Sequence, residues 1–258
     1  YLYVGGKANH FWGAHPDFMD TPAQTNTAAQ MVETDYNLGR LMKALKEAGI
    51  EENTLVVWSS DNGPMYCYHP HGGYTMFDRG EKGETWEGAV RVPCIAWWPG
   101  MIEAGQDPID IFQVTDWHTT FASIAGAYDD IPDDVVTDGV DQTALLLLGE
   151  DHGRRDYVFL YNRAELEAVR KDLTKFRFKP QKLHANFYNL MHDPAERHPD
   201  VIKYAAYDAW GLRRVIQEHQ ALIKQFPHRQ DTAYQAQPER PYDPEPTLKY
   251  RTKKRVDW

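Results

Sequence analysis

Apolar side chains recur at intervals of three and four residues between residues 25 and 48. The members of this pattern are Met31, Leu38, Leu41, Met42 and Leu45. The spacing predicts an amphipathic helix, because residues three and four apart lie on one side of an α-helix. Gly49 follows directly, at the place where a glycine commonly ends a helix.

Short apolar runs lie on either side of this predicted helix. Residues 1–4, 55–59 and 92–98 are apolar on both faces, as is typical of strands buried between helices in a parallel sheet. A second helix is predicted over residues 116–125, with Thr115 or Asp116 as its N-cap and Gly126 after its end. The order of elements predicts an α/β fold with a doubly wound, mostly parallel sheet flanked by helices.

The pattern changes after about residue 154. Short alternating segments at residues 157–161, 163–170 and 186–190 are followed by a predicted helix over residues 208–225. Beyond residue 227 the chain is rich in proline, glutamine and charge, which predicts an extended tail. We therefore expect a main α/β domain over residues 1–153, a smaller α+β subdomain over 154–226, and a tail over 227–258.

Composition narrows the classes of partner. The chain has 258 residues, 42% of them hydrophobic, and a formal net charge of −10. An acidic chain lacks the basic face that binding to a phosphate backbone requires, so we expect no nucleic-acid partner. No apolar run approaches the roughly 20 residues of a membrane-spanning helix, so we expect no membrane span.

The segment from residue 54 to residue 105 holds the candidate chemistry. A predicted strand runs directly into Asp61, Asn62 and Gly63, and the two side-chain oxygens are hard ligands of the kind that Ca²⁺ and Mg²⁺ prefer. Taken alone, Asp-Asn-Gly could instead form a simple turn after a strand, without binding a metal. Lys82 follows in a glycine-flanked loop, where a fixed positive charge could meet an anion.

The order of these motifs resembles the sulfatase family. The family pattern is a hydrophobic strand, S/T-D-N-G, then R-G-x-K-x-x-x-W/Y-E-G-G-x-R-x-P and a W-P-G turn. The chain matches it nearly throughout, with Ala89 in place of the second glycine of W-E-G-G. Residues 187–199, FYNLMHDPAERHP, also resemble the family's L-Y-D-L-x-x-D-P-x-E stretch.

The resemblance implies a sulfuric ester hydrolase and a role for each motif residue. Asp61 and Asn62 would bind a metal, Ca²⁺ rather than Mg²⁺, and Lys82 would contact the sulfate. His10 would protonate the leaving group, with His15 as the rival for that role.

The resemblance also sets expectations for the substrate and the compartment. The expected substrate is a sulfate ester of a small molecule or of a carbohydrate. It would lie against residues 65–78, where Tyr66, Tyr68 and His69 could stack on a ring. The expected compartment is periplasmic or secreted, or lysosomal if the source is eukaryotic.

The charged residues around the lysine have a structural interpretation. Arg79, Glu87 and Arg91 are expected to hold the long loop of residues 63–93 in shape through ion pairs and hydrogen bonds, and Trp86 is expected to pack. His69 and His71 are interpreted as lining the substrate pocket or as exposed, because two histidines without further ligands nearby are weak support for zinc.

The family's nucleophile is not found in this sequence. Sulfatases use a formylglycine made from cysteine or serine in C/S-x-P/A-x-R, and neither Cys67 nor Cys94 lies in such a context. We therefore expect formylglycine in an N-terminal segment upstream of this chain, and we expect the isolated chain to be inactive. The alternatives are a phosphoric or phosphonic ester hydrolase of the same superfamily, or a non-catalytic chain. Whether Cys67 and Cys94 pair is left open by the sequence.

Overall fold

The computed structural model describes residues 13–20, 25–68, 72–132, 137–163, 165–178, 185–199 and 212–225. The predicted strand over residues 1–4, His10 and the predicted tail lie outside these residues. The chain divides into two compact units, Tyr1–Ile202 and Lys203–Trp258. The predicted division at residue 153 stays a prediction.

The long helix forms where the apolar pattern predicted it. Helix α1 spans Asn26–Glu47, and the hydroxyl of Thr25 accepts a hydrogen bond from the Ala28 N–H at 3.1 Å. At the other end, Gly49 has a φ of +65°, and its N–H donates to the Lys46 carbonyl at 3.0 Å. The next N–H, that of Ile50, donates to the Leu45 carbonyl at 3.2 Å. These bonds satisfy carbonyls that the helix end would otherwise leave open.

Two strands form at the predicted apolar runs of residues 55–59 and 92–98, and their pairing departs from the mostly parallel sheet that was predicted. Strand β1, Val56–Ser59, pairs antiparallel with β2, Cys94–Trp97. The prediction of parallel neighbours is wrong for this pair. An apolar run carries no information about partner direction. The expected burial on both faces is also not met, because β1 and β2 contain no buried residue. In its described part, the connection between the strands holds the short 3-10 helix Tyr66–Tyr68 and a one-turn α-helix, α2, Glu87–Val90.

Helix α3, Asp116–Ile124, is anchored at its first residue. The carboxylate of Asp116 is fully buried and accepts from the Gln113 N–H and the Val140 N–H, each at 2.8 Å. The guanidinium of Arg155 bonds both oxygens of the same carboxylate. Gly126, with a φ of +70°, follows the helix as predicted. A short helix, α4, spans Thr143–Leu148.

The chain then forms a four-stranded antiparallel meander in the order β3-β4-β5-β6. Its strands are Tyr157–Asn162, Glu165–Lys171, Thr174–Phe178 and Ala185–Asn189. Phe176 and Phe187 face each other across β5 and β6 and pack edge to face at 4.9 Å. Strands β3, β4 and β6 lie at the short alternating segments that were predicted over residues 157–161, 163–170 and 186–190. The sequence analysis did not identify β5.

In the second unit the structure describes one helix, α5, Leu212–Gln225. Its predicted start, residue 208, lies outside the described residues. No helix in the described part of the chain combines the length and the apolar character needed to cross a membrane.

Candidate functional site

Asp61 and Asn62 lie in the turn that follows β1. The Ser60 N–H donates to the Pro93 carbonyl at 3.2 Å, which fixes the start of the turn against the segment before β2. The side-chain amide of Asn62 donates to the Gly63 carbonyl at 2.8 Å, so its oxygen stays available as an acceptor. Asp61 is exposed, and no described residue bonds to its carboxylate.

Gly63 brings this turn against the loop that follows it. Its N–H donates to the Ala89 carbonyl at 2.9 Å, and a Cβ at Gly63 would overlap the Gly88 carbonyl oxygen. Gly88 in turn donates its N–H to the Arg79 carbonyl at 2.7 Å, and a Cβ there would also lie 2.7 Å from that oxygen. The backbones of the two sequence motifs therefore touch, and side chains at these glycines would separate them.

Lys82 is bonded through its backbone to the same turn. Its N–H donates to the Pro64 carbonyl at 2.8 Å, and Pro64 follows Asn62 by two residues in the chain. Gly80 and Gly83 flank it with φ values of +101° and +95°. Lys82 is exposed, and its amine makes no hydrogen bond or ion pair within the described residues. The structure thus brings the loops of Asp61, Asn62 and Lys82 together.

The donor set matches a hard metal ion in chemistry. A carboxylate and an amide oxygen are ligands that Ca²⁺ and Mg²⁺ take, and Ca²⁺ takes six to eight oxygens in total. Within the part of the chain that the structure describes, no group of three or more His, Cys, Asp or Glu side chains could hold a metal. Asp61 and Asn62 alone would supply only two of those oxygens.

Buried charges anchor the loop of Lys82 to the four-stranded sheet. The carboxylate of Glu87 is buried, 2.6 Å from Arg170 and 3.0 Å from Lys175. The Lys175 amine also lies 3.1 Å from Glu196, whose carboxylate accepts the Glu87 N–H at 2.7 Å. Burial raises the pKa of Glu196, and the positive charge of Lys175 opposes that rise. Removing Lys175 would leave two buried carboxylates without their shared cation.

Trp86 forms a second connection between the loop and the sheet. The guanidinium of Arg79 lies 3.7 Å from the centre of its ring, and that of Arg177, on β5, lies 3.6 Å from it. Arg177 also donates to the Thr85 hydroxyl at 2.8 Å. Stacking on an aromatic face suits the planar, weakly hydrated guanidinium.

The expectations for the charged residues are met in part. Glu87 forms the predicted ion pairs, and Trp86 packs, with its ring edge against Tyr188. Arg79 stabilises the loop by stacking and by donating to the Glu196 carbonyl at 3.2 Å, without an ion pair. Arg91 is exposed and makes no ion pair with the described residues.

Three residues that hold the loop, Lys175, Arg177 and Glu196, were not predicted from the sequence. Two signals could have identified them. Lys175 and Arg177 alternate with Phe176 and Phe178, which is a strand pattern, and Glu196 occupies the glutamate of the D-P-x-E stretch.

Of the two candidate acids, His10 and His15, the structure describes only His15. His10 lies outside the described residues. His15 lies at the start of the short 3-10 helix Pro16–Phe18, where its ring nitrogen Nδ1 accepts from the Asp17 N–H at 3.3 Å. The His15 backbone N–H donates to Glu33 at 2.9 Å, and the side chain is exposed. The choice between the two histidines stays a prediction.

An open cleft of about 800 Å³ lies beside the Lys82 loop. It is lined by Tyr66, Tyr74, Thr75, Met76, Phe77, Asp78, Arg79, Gly80, Ala195 and Arg197. Residues 66–78 belong to the loop that was predicted to shape the substrate pocket. His69 and His71 lie outside the described residues. The two cysteines, Cys67 and Cys94, are both free.

Comparison with known proteins identifies relatives of this chain. A family model described as Sulfatase matches residues 1–127. Human arylsulfatase A is 38% identical over 162 residues, which are 62% of this chain and 31% of that protein. Mouse N-acetylgalactosamine-6-sulfatase is 35% identical over 157 residues, 60% of this chain and 29% of that protein. The crystal structure of the PsFucS1 sulfatase from Pseudoalteromonas sp. superposes with a TM-score of 0.78 at 33% identity, covering 84% of this chain and 47% of that one.

The superposition confirms the predicted α/β class. The chain spans less than a third of the length of the curated relatives it matches.

Proposed function

Since residues 1–127 belong to the sulfatase family, we propose that the protein is a sulfuric ester hydrolase that uses a divalent metal. The observation that supports this most directly is the hydrogen bond from the Lys82 N–H to the Pro64 carbonyl at 2.8 Å. It joins Lys82, whose amine has no partner among the described residues, to a turn that offers two hard oxygen ligands. Such a pairing of ligands and cation suits an anionic ester group better than a plain loop would.

In this proposal each side chain has a separate task. Asp61 and Asn62 would hold Ca²⁺, with Mg²⁺ as the less favoured ion; a bound divalent cation supplies positive charge to an ester oxygen. Lys82 would bind a non-bridging sulfate oxygen, for which its compact charge is suited. His10, or His15 in its place, would donate a proton to the leaving alcohol oxygen. A formylglycine in the N-terminal segment of the protein would supply the nucleophile.

The substrate is a sulfate ester of a small molecule or a carbohydrate. One relative is named for aryl sulfates and another for a sulfated amino sugar, so their names support both classes. We place the enzyme in the periplasm or outside the cell, or in the lysosome if the source is eukaryotic.

The test uses protein expressed from the complete reading frame. We expect hydrolysis of 4-nitrophenyl sulfate, and we expect Lys82→Ala to lower kcat about 100-fold, the usual loss when a preorganised charge contact is removed. Lys46→Ala, at an exposed position in the last turn of α1, is the matched control and should match the wild type.

Two results would overturn the proposal. One is faster turnover of 4-nitrophenyl phosphate or a phosphonate ester than of the sulfate, which would favour the phosphoric or phosphonic ester hydrolase. The other is no turnover of any of these esters, which would favour the non-catalytic chain.

A further inference from the structure

We propose that the cleft beside the Lys82 loop binds a second anionic group of the substrate, carried on a sugar ring. This inference rests on the proposed sulfatase function and specifies its substrate class. The chemical class is a carbohydrate sulfate ester that bears a further sulfate or carboxylate. Four features of the cleft carry the argument: its position, its charge, its ring surfaces and one half-buried carboxyl group.

The cleft is next to the proposed sulfate site. Arg79 and Gly80 line it and directly precede the loop of Lys82. The same Arg79 carbonyl accepts the Gly88 N–H at 2.7 Å, and Gly88 contacts Gly63 of the Asp61–Asn62 turn. A substrate held at Lys82 would therefore extend into the cleft over a short distance.

The cleft carries positive charge on a chain whose net charge is −10. Arg197 lines the cleft and is exposed. Its guanidinium makes no ion pair or hydrogen bond with any described residue. The guanidinium of Arg79 lies over the Trp86 ring, 3.7 Å from its centre, and one of its N–H groups donates to the Glu196 carbonyl. Since a guanidinium has five N–H donors at its edge, Arg79 has donors left for an anion. Two arginines at one cleft suit bidentate recognition of a sulfate or carboxylate.

The remaining walls suit a sugar ring. Tyr66 and Tyr74 line the cleft, so aromatic rings form part of its wall, and aromatic rings pack well against the apolar face of a sugar. The Tyr66 hydroxyl is hydrogen-bonded to the Thr75 hydroxyl, and the Tyr66 N–H donates to Glu81 at 2.7 Å. These bonds hold the tyrosine in place before any ligand arrives, which reduces the entropy cost of binding.

Asp78 adds an acceptor for sugar hydroxyls. It lines the cleft, is half-buried, and its carboxyl group accepts no hydrogen bond from the described residues. Burial raises its pKa, while the positive charge of Arg91 opposes that rise. The Asp78 carboxyl group has lost water contacts and accepts no hydrogen bond from the described residues. Two neighbouring hydroxyls of a sugar ring could donate the hydrogen bonds that it lacks. A wholly apolar ring system such as a sterol would cover Asp78 and Arg197 without offering either of them a hydrogen-bond partner.

The experiment compares two substrates in protein expressed from the complete reading frame. The substrates are two sulfated disaccharides that differ only in a second anionic group on the neighbouring ring. We expect Arg197→Gln to lower the ratio of kcat/KM, dianionic over monoanionic, about ten-fold, the usual loss for one charge-assisted hydrogen bond. Arg197→Lys should recover part of the ratio, because it keeps the charge but not the paired donors. Arg40→Gln, at an exposed site on α1, is the matched control.

Each outcome decides the question. An equal loss on both disaccharides, or an unchanged ratio in Arg197→Gln, would overturn the anion-binding cleft while leaving the sulfatase proposal in place. Preference of the wild type for 4-nitrophenyl or steryl sulfate over both disaccharides would also overturn it. Failure of the wild type to hydrolyse any sulfate ester would instead refute the proposed function on which the inference rests. Thermal unfolding of each variant checks that the change is not a loss of fold.

Discussion

Gly63 is the residue at which the two halves of the candidate site meet. Its N–H bonds to Ala89, and its missing side chain lets the Gly88 carbonyl approach closely. Gly63 and Gly88 meet through main-chain atoms, which cannot move aside by rotation as a side chain could. The sequence motif suggests that Gly63 is a simple turn residue. In the structure it also allows two backbone segments to pack together.

We expect Gly63→Ala to lower the free energy of unfolding by about 1–3 kcal/mol or more, because a Cβ would overlap main-chain atoms. The matched control is Gly39→Ala in α1, where a Cβ would meet nothing within 4 Å. That substitution should stabilise the protein by about 0.5–1 kcal/mol, since alanine loses less backbone entropy in a helix. Urea unfolding of both variants measures the difference, and equal effects would contradict this account of Gly63.

At the scale of elements, the antiparallel sheet of β3–β6 supports the Lys82 loop through charge. Lys175 on β5 lies between Glu87 of the loop and Glu196 of the segment after β6. Its amine is fully buried, so its charge is stable there only because carboxylates accompany it. The same strand carries Arg177, which covers Trp86. Folding of the sheet and positioning of the loop are therefore coupled.

We expect Lys175→Met to lower the free energy of unfolding by about 3–5 kcal/mol, since it leaves Glu87 and Glu196 facing each other without the lysine. Lys171→Met is the control on the neighbouring strand; there the amine lies over the Tyr157 ring at 5.7 Å, and the loss should stay below about 1 kcal/mol. Chemical denaturation at neutral pH gives both values. If the two variants were equally stable, the buried ion pairs would contribute no net stability.

At the scale of the whole molecule, the metal proposal predicts a linkage between calcium and stability. A ligand that binds only the folded state stabilises it by about 2.7 kcal/mol at a concentration a hundred times its Kd. We expect metal-stripped protein, expressed from the complete reading frame, to unfold at a higher temperature when Ca²⁺ is added. Asp61→Ala should remove most of that shift, because it deletes a charged ligand.

Asp107→Asn, an exposed carboxylate on another loop, should keep the full calcium shift. The measurement is thermal unfolding with and without Ca²⁺, and with Mg²⁺ in a parallel series, so it does not depend on catalytic activity. An Asp61→Ala protein with an undiminished shift would place the calcium elsewhere.

The sequence determined those features that depend on neighbours along the chain. Helix α1 followed from the apolar spacing and its C-terminal end from Gly49, because periodicity and capping are local. Residues 54–93 also identified Asp61, Asn62 and Lys82 as candidates, since a motif is read directly from residue order. Whether those residues bind a metal and an anion stays a prediction.

Tertiary structure decided everything that depends on contacts between distant residues. The antiparallel pairing of β1 with β2 is a choice of partner direction, which an apolar run does not encode. Sequence signals could point to Lys175 and Glu196, 21 residues apart and both bonded to Glu87, but not to their burial. A strand pattern marks charged residues as exposed. Their charges are buried because a partner lies within about 3 Å, and only the folded chain brings those partners together.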